Sequence, residues 1–441
     1  MAALDTIKHS RLASFFYKFP ALVSSYHFFW AWFGAIANGR PSRKIFVIGV
    51  TGTKGKTTTL ELLNAILTAA GRRTALLSSL RVKVADESGK NTMGNSMPGR
   101  GYIQKFLKRA VAAKCDYALV EVTSQGAVMH RHKFIDWKIG AFTNLAPEHI
   151  ESHGSFENYR KAKLGFLRYV LWRGGKVFVN RDNEHALFFE KELATSVPGG
   201  GAGAIIPYSK TDEWAQKCFS KIEPPSFARR ESAPRFVLTD FNEENAAAAV
   251  TIAKELGIEE PVIERALASF NGVPGRMEFV VHGPYTAIVD YAHTPDSLEA
   301  AYAASRPKPN ANYQNARLIC VLGAAGGGRD KWKRPEFGKI AGAYCDEIVL
   351  TTEDPYDEDP ADIVQEIKAG ILPEDLKDIS VHEVFDRTEA IKKAVALARP
   401  GDIVIGTGKG SEDWIHIAKG KKLPWSEKKA FEEALEEKEY N

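Results

Sequence analysis

Short apolar runs alternate with longer amphipathic stretches along most of the chain. Residues 45–48 are apolar and mostly β-branched, which predicts a buried strand. A Gly-rich turn follows, then Leu60, Leu63 and Leu67 recur at helical spacing until Gly71 closes the pattern. Thr74–Leu77, Tyr117–Val122 and residues 139–142 read as further short buried strands, with helices between them at 102–113 and later at 245–256. A second alternation starts near Gly275, with strands at 286–289, 317–322, Glu347–Leu350 and 403–405 and helices at 360–369 and 388–398. Strands alternating with helices predict an α/β fold built on mostly parallel sheets. The expected layout is a short hydrophobic helical segment over 1–43, a central domain over 44–274 and a smaller Rossmann-like α/β domain over 275–441. Stretch 198–204 reads as a flexible surface loop, Glu427–Tyr440 as a charged surface helix, and no internal repeat is visible.

The segment 21–37 breaks the pattern, being apolar and aromatic with Lys18 on one side and Arg40, Arg43 and Lys44 on the other. It is slightly short for a membrane span, is interrupted by Ser24, Ser25 and His27, and lacks the small-residue cleavage pattern of a secretory signal. A helix or helical hairpin packed on the next domain is expected, with a membrane-surface helix as the alternative.

Length and charge narrow the class without naming it. A chain of 441 residues makes about two or three domains. A formal net charge of +4 is small for this length and decides nothing about nucleic acid, whereas no Lys/Arg-rich block and no interleaved aromatics argue for no nucleic-acid partner. Cys115, Cys218, Cys320 and Cys345 are widely spaced, form no metal-ligand pairs and read as reduced thiols of a cytoplasmic protein.

The chemistry centres on the turn after the first strand, Thr51, Gly52, Thr53, Lys54, Gly55, Lys56, Thr57 and Thr58. Small residues between a strand and a helix let backbone N–H groups wrap phosphates, with the helix N-terminus adding partial positive charge. Lys56 would reach the outer phosphates of ATP and Thr57 would ligate Mg²⁺. The spelling is a variant, with Val50 where the usual first glycine stands. Glu121 and Thr143-Asn144 end strands beside this loop, where α/β sheets gather their sites. His149, His153 and Lys163 follow; together with Glu121 they predict a second divalent-cation site. An ammonium cannot ligate a cation, so Lys163 would have to be neutral or carbamylated by CO₂ to join it.

These stretches resemble the Mur ligase family, and within it the tripeptide-synthetase branch. The matching segments are 51–58, 121–126, 142–145, 159–163, 275–278, 290–296, 328–335 and 408–413, in the family's order and spanning about 44–427. The resemblance implies an ATP-dependent amide-forming ligase of muramyl-peptide synthesis, acting through an acyl phosphate. It implies two Mg²⁺ sites, the first on Thr57 and the second on Glu121, His149 and a carbamylated Lys163. It places Asn245, Arg276, Asp290 and His293 on the nucleotide. It places Ser96, Thr123, Ser124, Arg131 and His153 on the acceptor, and Arg329, Glu353, Tyr356, Gly408 and Glu412 on the incoming amino acid. The partners implied are small molecules, with the chain acting as a monomer.

Three departures qualify it. The family's uridine-nucleotide-binding domain would precede the phosphate loop, where 1–43 stand here, which keeps open a folylpolyglutamate-like or cyanophycin-like ligase with another acceptor. A non-catalytic ATP-binding subunit is the reading from a different class. Members that add diaminopimelate carry Asp-Asn-Pro-Arg, where this chain has Glu353-Asp354-Pro355-Tyr356. The missing arginine and the acids, Asp357 included, predict a basic or small neutral amino acid instead.

Overall fold

The computed structural model of the chain describes residues 20–440 apart from 94, 100, 149–152, 197–203, 221–235, 237, 283, 308–314 and 329. The chain divides into two compact units, Met1–Ile222 with Phe241–Ala268, and Glu223–Asp240 with Ser269–Asn441.

The first unit is built on eight strands: β1 (Phe46–Thr51), β2 (Thr74–Leu77), β3 (Arg81–Val84), β4 (Glu87–Lys90), β5 (Tyr117–Val122), β6 (Trp137–Phe142), β7 (Lys176–Asn180) and β8 (Ile205–Tyr208). Their order is β4-β3-β2-β5-β1-β6-β7-β8. All pairs are parallel except β2–β3 and β3–β4. The hairpin β3–β4 escapes a hydrophobic reading because β4 is exposed throughout and β3 only half-buried. β1 lies between β5 and β6, with Thr51 opposite Val122 and Phe142. That register brings the three following turns to one edge of the sheet. Beyond the half-buried Phe46 and Tyr117 that open β1 and β5, the apolar residues of β1, β5, β6 and β7 are buried, as expected of parallel strands covered on both faces.

Helices of this unit are α1 (Pro20–Ala37), α2 (Lys56–Ala69), α3 (Tyr102–Ala112), α4 (Ser124–Val128), α5 (Phe156–Trp172), α6 (Ala186–Ala194), α7 (Glu213–Phe219), α8 (Asp240–Glu255) and α9 (Glu260–Ala268). The alanine-rich helix thus starts at Asp240 rather than 245; acidic residues suit the first turn of a helix, where the dipole favours them. The hydrophobic N-terminal segment forms α1, and among the described residues no helix is long and apolar enough to cross a membrane. Most of stretch 198–204 lies outside the described residues.

The second unit has the strand order β13-β12-β11-β14-β10-β9, where β9 is Glu278–His282, β10 Tyr285–Val289, β11 Leu318–Leu322, β12 Glu347–Leu350, β13 Ser380–Glu383 and β14 Ile403–Gly406. Only β9 is antiparallel. A small hairpin, β15 (Trp414–Ile417) with β16 (Lys421–Pro424), follows. Its helices are α10 (Pro295–Ser305), α11 (Lys333–Tyr344), α12 (Pro360–Lys368), α13 (Arg387–Leu397) and α14 (Glu427–Tyr440).

Two expectations are corrected here. α14 is not a plain surface helix: Ala430, Phe431, Ala434 and Leu435 recur at helical spacing and lie in the core. The abundance of Glu and Lys on its other face hid that stripe. Nor are all four cysteines thiols, because Cys320 in β11 and Cys345 just before β12 form a disulfide, 25 residues apart. Pairing of neighbouring strands, which sequence spacing does not show, brings them together. Cys115 and Cys218 are free and buried.

Candidate active site

The phosphate loop is a rigid turn. Thr53 N–H donates to the Asn144 carbonyl and Lys54 N–H to Asn144 Oδ1, tying the loop to the end of β6. Thr143 Oγ1 donates to the Lys54 carbonyl. Lys56 Nζ bridges the carbonyls of Gly52 and Thr53 at 3.0 and 2.9 Å. Gly55 caps α2 at φ 79°, and a Cβ there would stand 1.9 Å from Asn245 Oδ1. Only glycine fits, for both reasons. Asn245 itself is buried against the start of α2, with Thr59 Oγ1 3.5 Å from its Oδ1.

Beside the loop stands a set of oxygen ligands. Thr57 Oγ1 donates to Glu121 Oε2 at 3.0 Å, and the same oxygen accepts the Ser79 N–H at 2.9 Å. A hydroxyl and a carboxylate in contact are hard donors that suit Mg²⁺. Among the described residues no cluster of three or more His, Cys, Asp or Glu could hold an ion. His149 lies outside the described residues.

Lys163 projects from α5 into the same place. It is 1 % exposed, and its Nζ donates to the Gly52 carbonyl at 2.6 Å and lies over the Tyr159 ring. Burial, and then the neighbouring Lys56 charge, push its pKa well below the ordinary lysine range, against the pull of Glu148 and Glu121. Tyr159 in turn bonds Thr53 Oγ1 at 2.9 Å. Glu148, Ser79 and Tyr159 were missed in the sequence. Glu148 sits next to His149 and is itself buried, so the Pro-Glu-His triplet was the available signal.

A second group lies around the N-terminus of α4. Thr123 caps this helix by accepting the Gly126 N–H, and Ser124 Oγ meets His153 Nε2 at 3.1 Å. Arg131 Nη1 donates to the Met97 carbonyl at 2.5 Å, next to the buried Ser96. Arg131 Nε is buried without a hydrogen-bond partner, and burial lowers the pKa of this guanidinium. The five residues expected on the acceptor therefore share one region of the first unit.

In the second unit the turns after β10, β12 and β14 meet. Asp290 accepts the N–H groups of Met277 and Ala292, and burial raises its pKa against the charge of Arg276. Arg276 lies over the Tyr291 ring at 4.1 Å, and His293 Nδ1 is 2.8 Å from the Tyr291 carbonyl. Tyr291 OH donates to Glu412. Lys409, fully buried, donates to Asp354 at 2.8 Å and to Glu412 at 2.6 Å. Glu353 is buried and pushed up to about 7 by desolvation, against Lys409 and Arg387. Its carboxylate fills the space above Gly408, where φ is 98° and a Cβ would come within 2.3 Å of Glu353 Oε2. Tyr356 stacks on His416, ring centroids 5.1 Å apart. Arg329 lies outside the described residues.

This geometry corrects the expectation of an open acidic patch at 353–357. Asp354 is engaged by Lys409 and by the His416 N–H, and Asp357 by the Lys419 N–H. Their charges are spent on the fold, a pairing that depends on residues far along the chain. Lys409 and Tyr291 are the side chains that the sequence reading left out.

The Mur ligase middle domain matches residues 50–253, and the Mur ligase, glutamate ligase domain matches residues 275–410. The UDP-N-acetylmuramoyl-L-alanyl-D-glutamate--2,6-diaminopimelate ligase of Syntrophomonas wolfei is 35 % identical over 404 residues, covering 90 % of this chain and 79 % of its own. The UDP-N-acetylmuramyl-tripeptide synthetase of a Roseiflexus species is 35 % identical over 426 residues, covering 91 % and 81 %. A solved diaminopimelate ligase of the same name as the first superposes with a TM-score of 0.59 at 26 % identity, covering 90 % of this chain and 79 % of that one. The chain belongs to the Mur ligase family, the ATP-dependent, amide-bond-forming ligases of peptidoglycan precursor synthesis.

Proposed function

We propose that this ligase phosphorylates a carboxylate of a UDP-muramyl-dipeptide acceptor and joins it to an amino acid whose far end carries no carboxylate. The observation that carries the first half is the convergence of Thr57, Glu121 and the buried Lys163 on one phosphate loop. The γ-phosphoryl passes from ATP to the acceptor carboxylate oxygen, leaving ADP. The amine then attacks the acyl carbon, loses a proton and expels phosphate. Mg²⁺, held at Thr57, would supply neutralising charge to the phosphoryl group. Lys56 spans the loop where the outer phosphates lie. Thr123, Ser124, Arg131 and His153, with Ser96, orient the acceptor. Asn245, Arg276, Asp290 and His293 serve the nucleotide, and Arg329, Glu353, Tyr356, Gly408 and Glu412 serve the amino acid, as the resemblance implies.

Lys163 is the place for a carbamate. Its unprotonated amine would add to CO₂, forming an N–C bond and releasing a proton, and the resulting anion would join Glu121 and His149 at a second Mg²⁺ site. Desolvation and the Lys56 charge favour the neutral amine that this addition needs. Lys163→Ala should abolish turnover with an unchanged melting temperature. Labelled bicarbonate should give a carbamate carbon signal in the wild type that the variant lacks; full activity of the variant would refute the assignment.

For the amino acid, Tyr356 stands where an arginine would grip a second carboxylate, and a stacked phenol offers no charge. Lysine, ornithine or a small neutral amino acid fits this better. The names of relatives such as the Syntrophomonas wolfei ligase favour diaminopimelate as the second reading. Phosphate release with UDP-muramoyl-L-alanyl-D-glutamate and each amino acid in turn decides between them. Preference for meso-diaminopimelate would overturn the first reading, and no release with any pair would overturn ligase turnover on this acceptor.

A further inference from the structure

Helix α1 carries a row of apolar side chains that are solvent-exposed. Leu22, Tyr26, Phe29, Phe33 and Ile36 follow at spacings of four, three, four and three, and all are exposed, with Trp32 beside them. The opposite side is docked. Gly34 meets Gly101 so closely that a Cβ on it would lie 2.8 Å from Gly101 Cα. Ala35 is buried, Ser24 Oγ bonds His130 Nε2, and Phe28 packs edge-on against Phe134. The helix, about 27 Å long at 1.5 Å per residue, is therefore anchored with an aromatic stripe of about 21 Å facing away. Solvent-exposed stripes of this size mark a surface that binds something.

Charge says what. Between Asp5 and Glu61 the chain has no acidic residue, while Lys8, Arg11, Lys18, Arg40, Arg43 and Lys44 flank the stripe in sequence. Arg40, Arg43 and Lys44, directly after α1, are exposed, and among the described residues Arg43 faces the Asp136 carboxylate at 3.7 Å. Two copies meeting through this face would bring like charges together. An anionic bilayer attracts them, and Tyr26, Trp30 and Trp32 are the residue types that settle at headgroup level.

We propose that α1 lies flat on an anionic phospholipid surface, holding the ligase at the membrane without crossing it. The proposal goes beyond the ligase reading and stands or falls independently of which acceptor or amino acid is used.

The test is co-sedimentation of the full chain with vesicles of phosphatidylglycerol and phosphatidylcholine, against vesicles of phosphatidylcholine alone, with light scattering of the lipid-free protein alongside. Binding should require phosphatidylglycerol and weaken with salt. Phe29→Ser with Phe33→Ser, and separately Arg40→Glu with Lys44→Glu, should each weaken it about tenfold or more while phosphate release stays at the wild-type rate. Two results would overturn the proposal. Self-association in the absence of lipid, dissolved by the Phe29→Ser, Phe33→Ser pair, would make the occupant a second copy. A monomer that ignores both vesicle types would mean the stripe is covered by another part of this chain.

Discussion

Glu427 offers a sharp test of how the second unit holds its loops. Its two oxygens accept from Arg387 Nη2 at 2.6 Å and Nε at 2.8 Å, and from Trp425 Nε1 at 2.8 Å. Both members of the pair are out of reach of water, at 1 % and 0 % side-chain exposure. Arg387 also donates to the carbonyls of Thr407 and Thr352, so the pair braces the turns that lead to Gly408 and Glu353. Glu427→Ala leaves a guanidinium buried without its counter-charge. Stranding a buried charge costs about 3–5 kcal/mol, set against a typical stability of about 5–15 kcal/mol. For a unit of this size that is a fall in Tm of roughly 6–20 °C, read by circular dichroism of the whole chain. Replacing both partners, Arg387→Met with Glu427→Leu, should recover most of the loss, because a paired charge and an apolar pair differ by little once desolvation is counted. The single variant should also raise KM for the amino acid. A Tm within about 2 °C of wild type for Glu427→Ala would refute the reasoning, since a shift that small fits a solvent-exposed pair.

Three further outcomes follow from side chains already placed. His132 is buried among Phe166, Tyr169 and Trp137, neither ring nitrogen has a hydrogen-bond partner, and burial lowers its pKa to about 3. Its unfolded form binds a proton near pH 6.5, so its contribution is complete above that pH and is lost as pH falls toward 3, at about 1.4 kcal/mol per unit. Denaturant melts at pH 7 and pH 5 should therefore differ by about 2 kcal/mol more in wild type than in His132→Phe. Glu353, raised to about 7, should make KM for the amino acid improve as pH rises from 6 to 8, and Glu353→Gln should flatten that dependence in initial-rate assays. Gly55→Ala sets a Cβ against Asn245 and costs about 1–2 kcal/mol at its positive φ, so KM for ATP should rise about tenfold or more, whereas an unchanged KM would mean the loop adapts.

The α/β plan and the phosphate loop were legible because each rests on local pattern. Four buried apolar positions, a glycine turn and a leucine stripe within one stretch leave few alternatives to strand, loop and helix. β4, exposed at every position, carries no apolar signal, and its hairpin with β3 is fixed by pairing rather than by composition. α14 was hidden for the opposite reason, since a stripe of Ala430, Phe431, Ala434 and Leu435 is diluted by glutamates and lysines at every other face.

The site residues show the same division at closer range. Lys56, Thr57, Glu121 and Lys163 could be named from motif and resemblance, and the fold brings them to one sheet edge because β1 runs between β5 and β6. What sequence could not supply is the state of each charge. Reading Glu353, Asp354 and Asp357 as an acidic patch treats three carboxylates alike, yet desolvation pushes one toward neutrality and Lys409 and backbone N–H groups absorb the others. Lys163 shows the converse, a residue that is cationic on paper and whose pKa burial and the neighbouring Lys56 charge lower. In both cases the deciding quantity is the local dielectric and the sign of the nearest neighbour, which the order of residues along the chain does not carry. The amino-acid preference turns on that same point. Once Asp354 is spent on Lys409, what separates a lysine-like substrate from diaminopimelate here is the uncharged Tyr356, so Tyr356→Arg is the single change that should move the preference toward a second carboxylate.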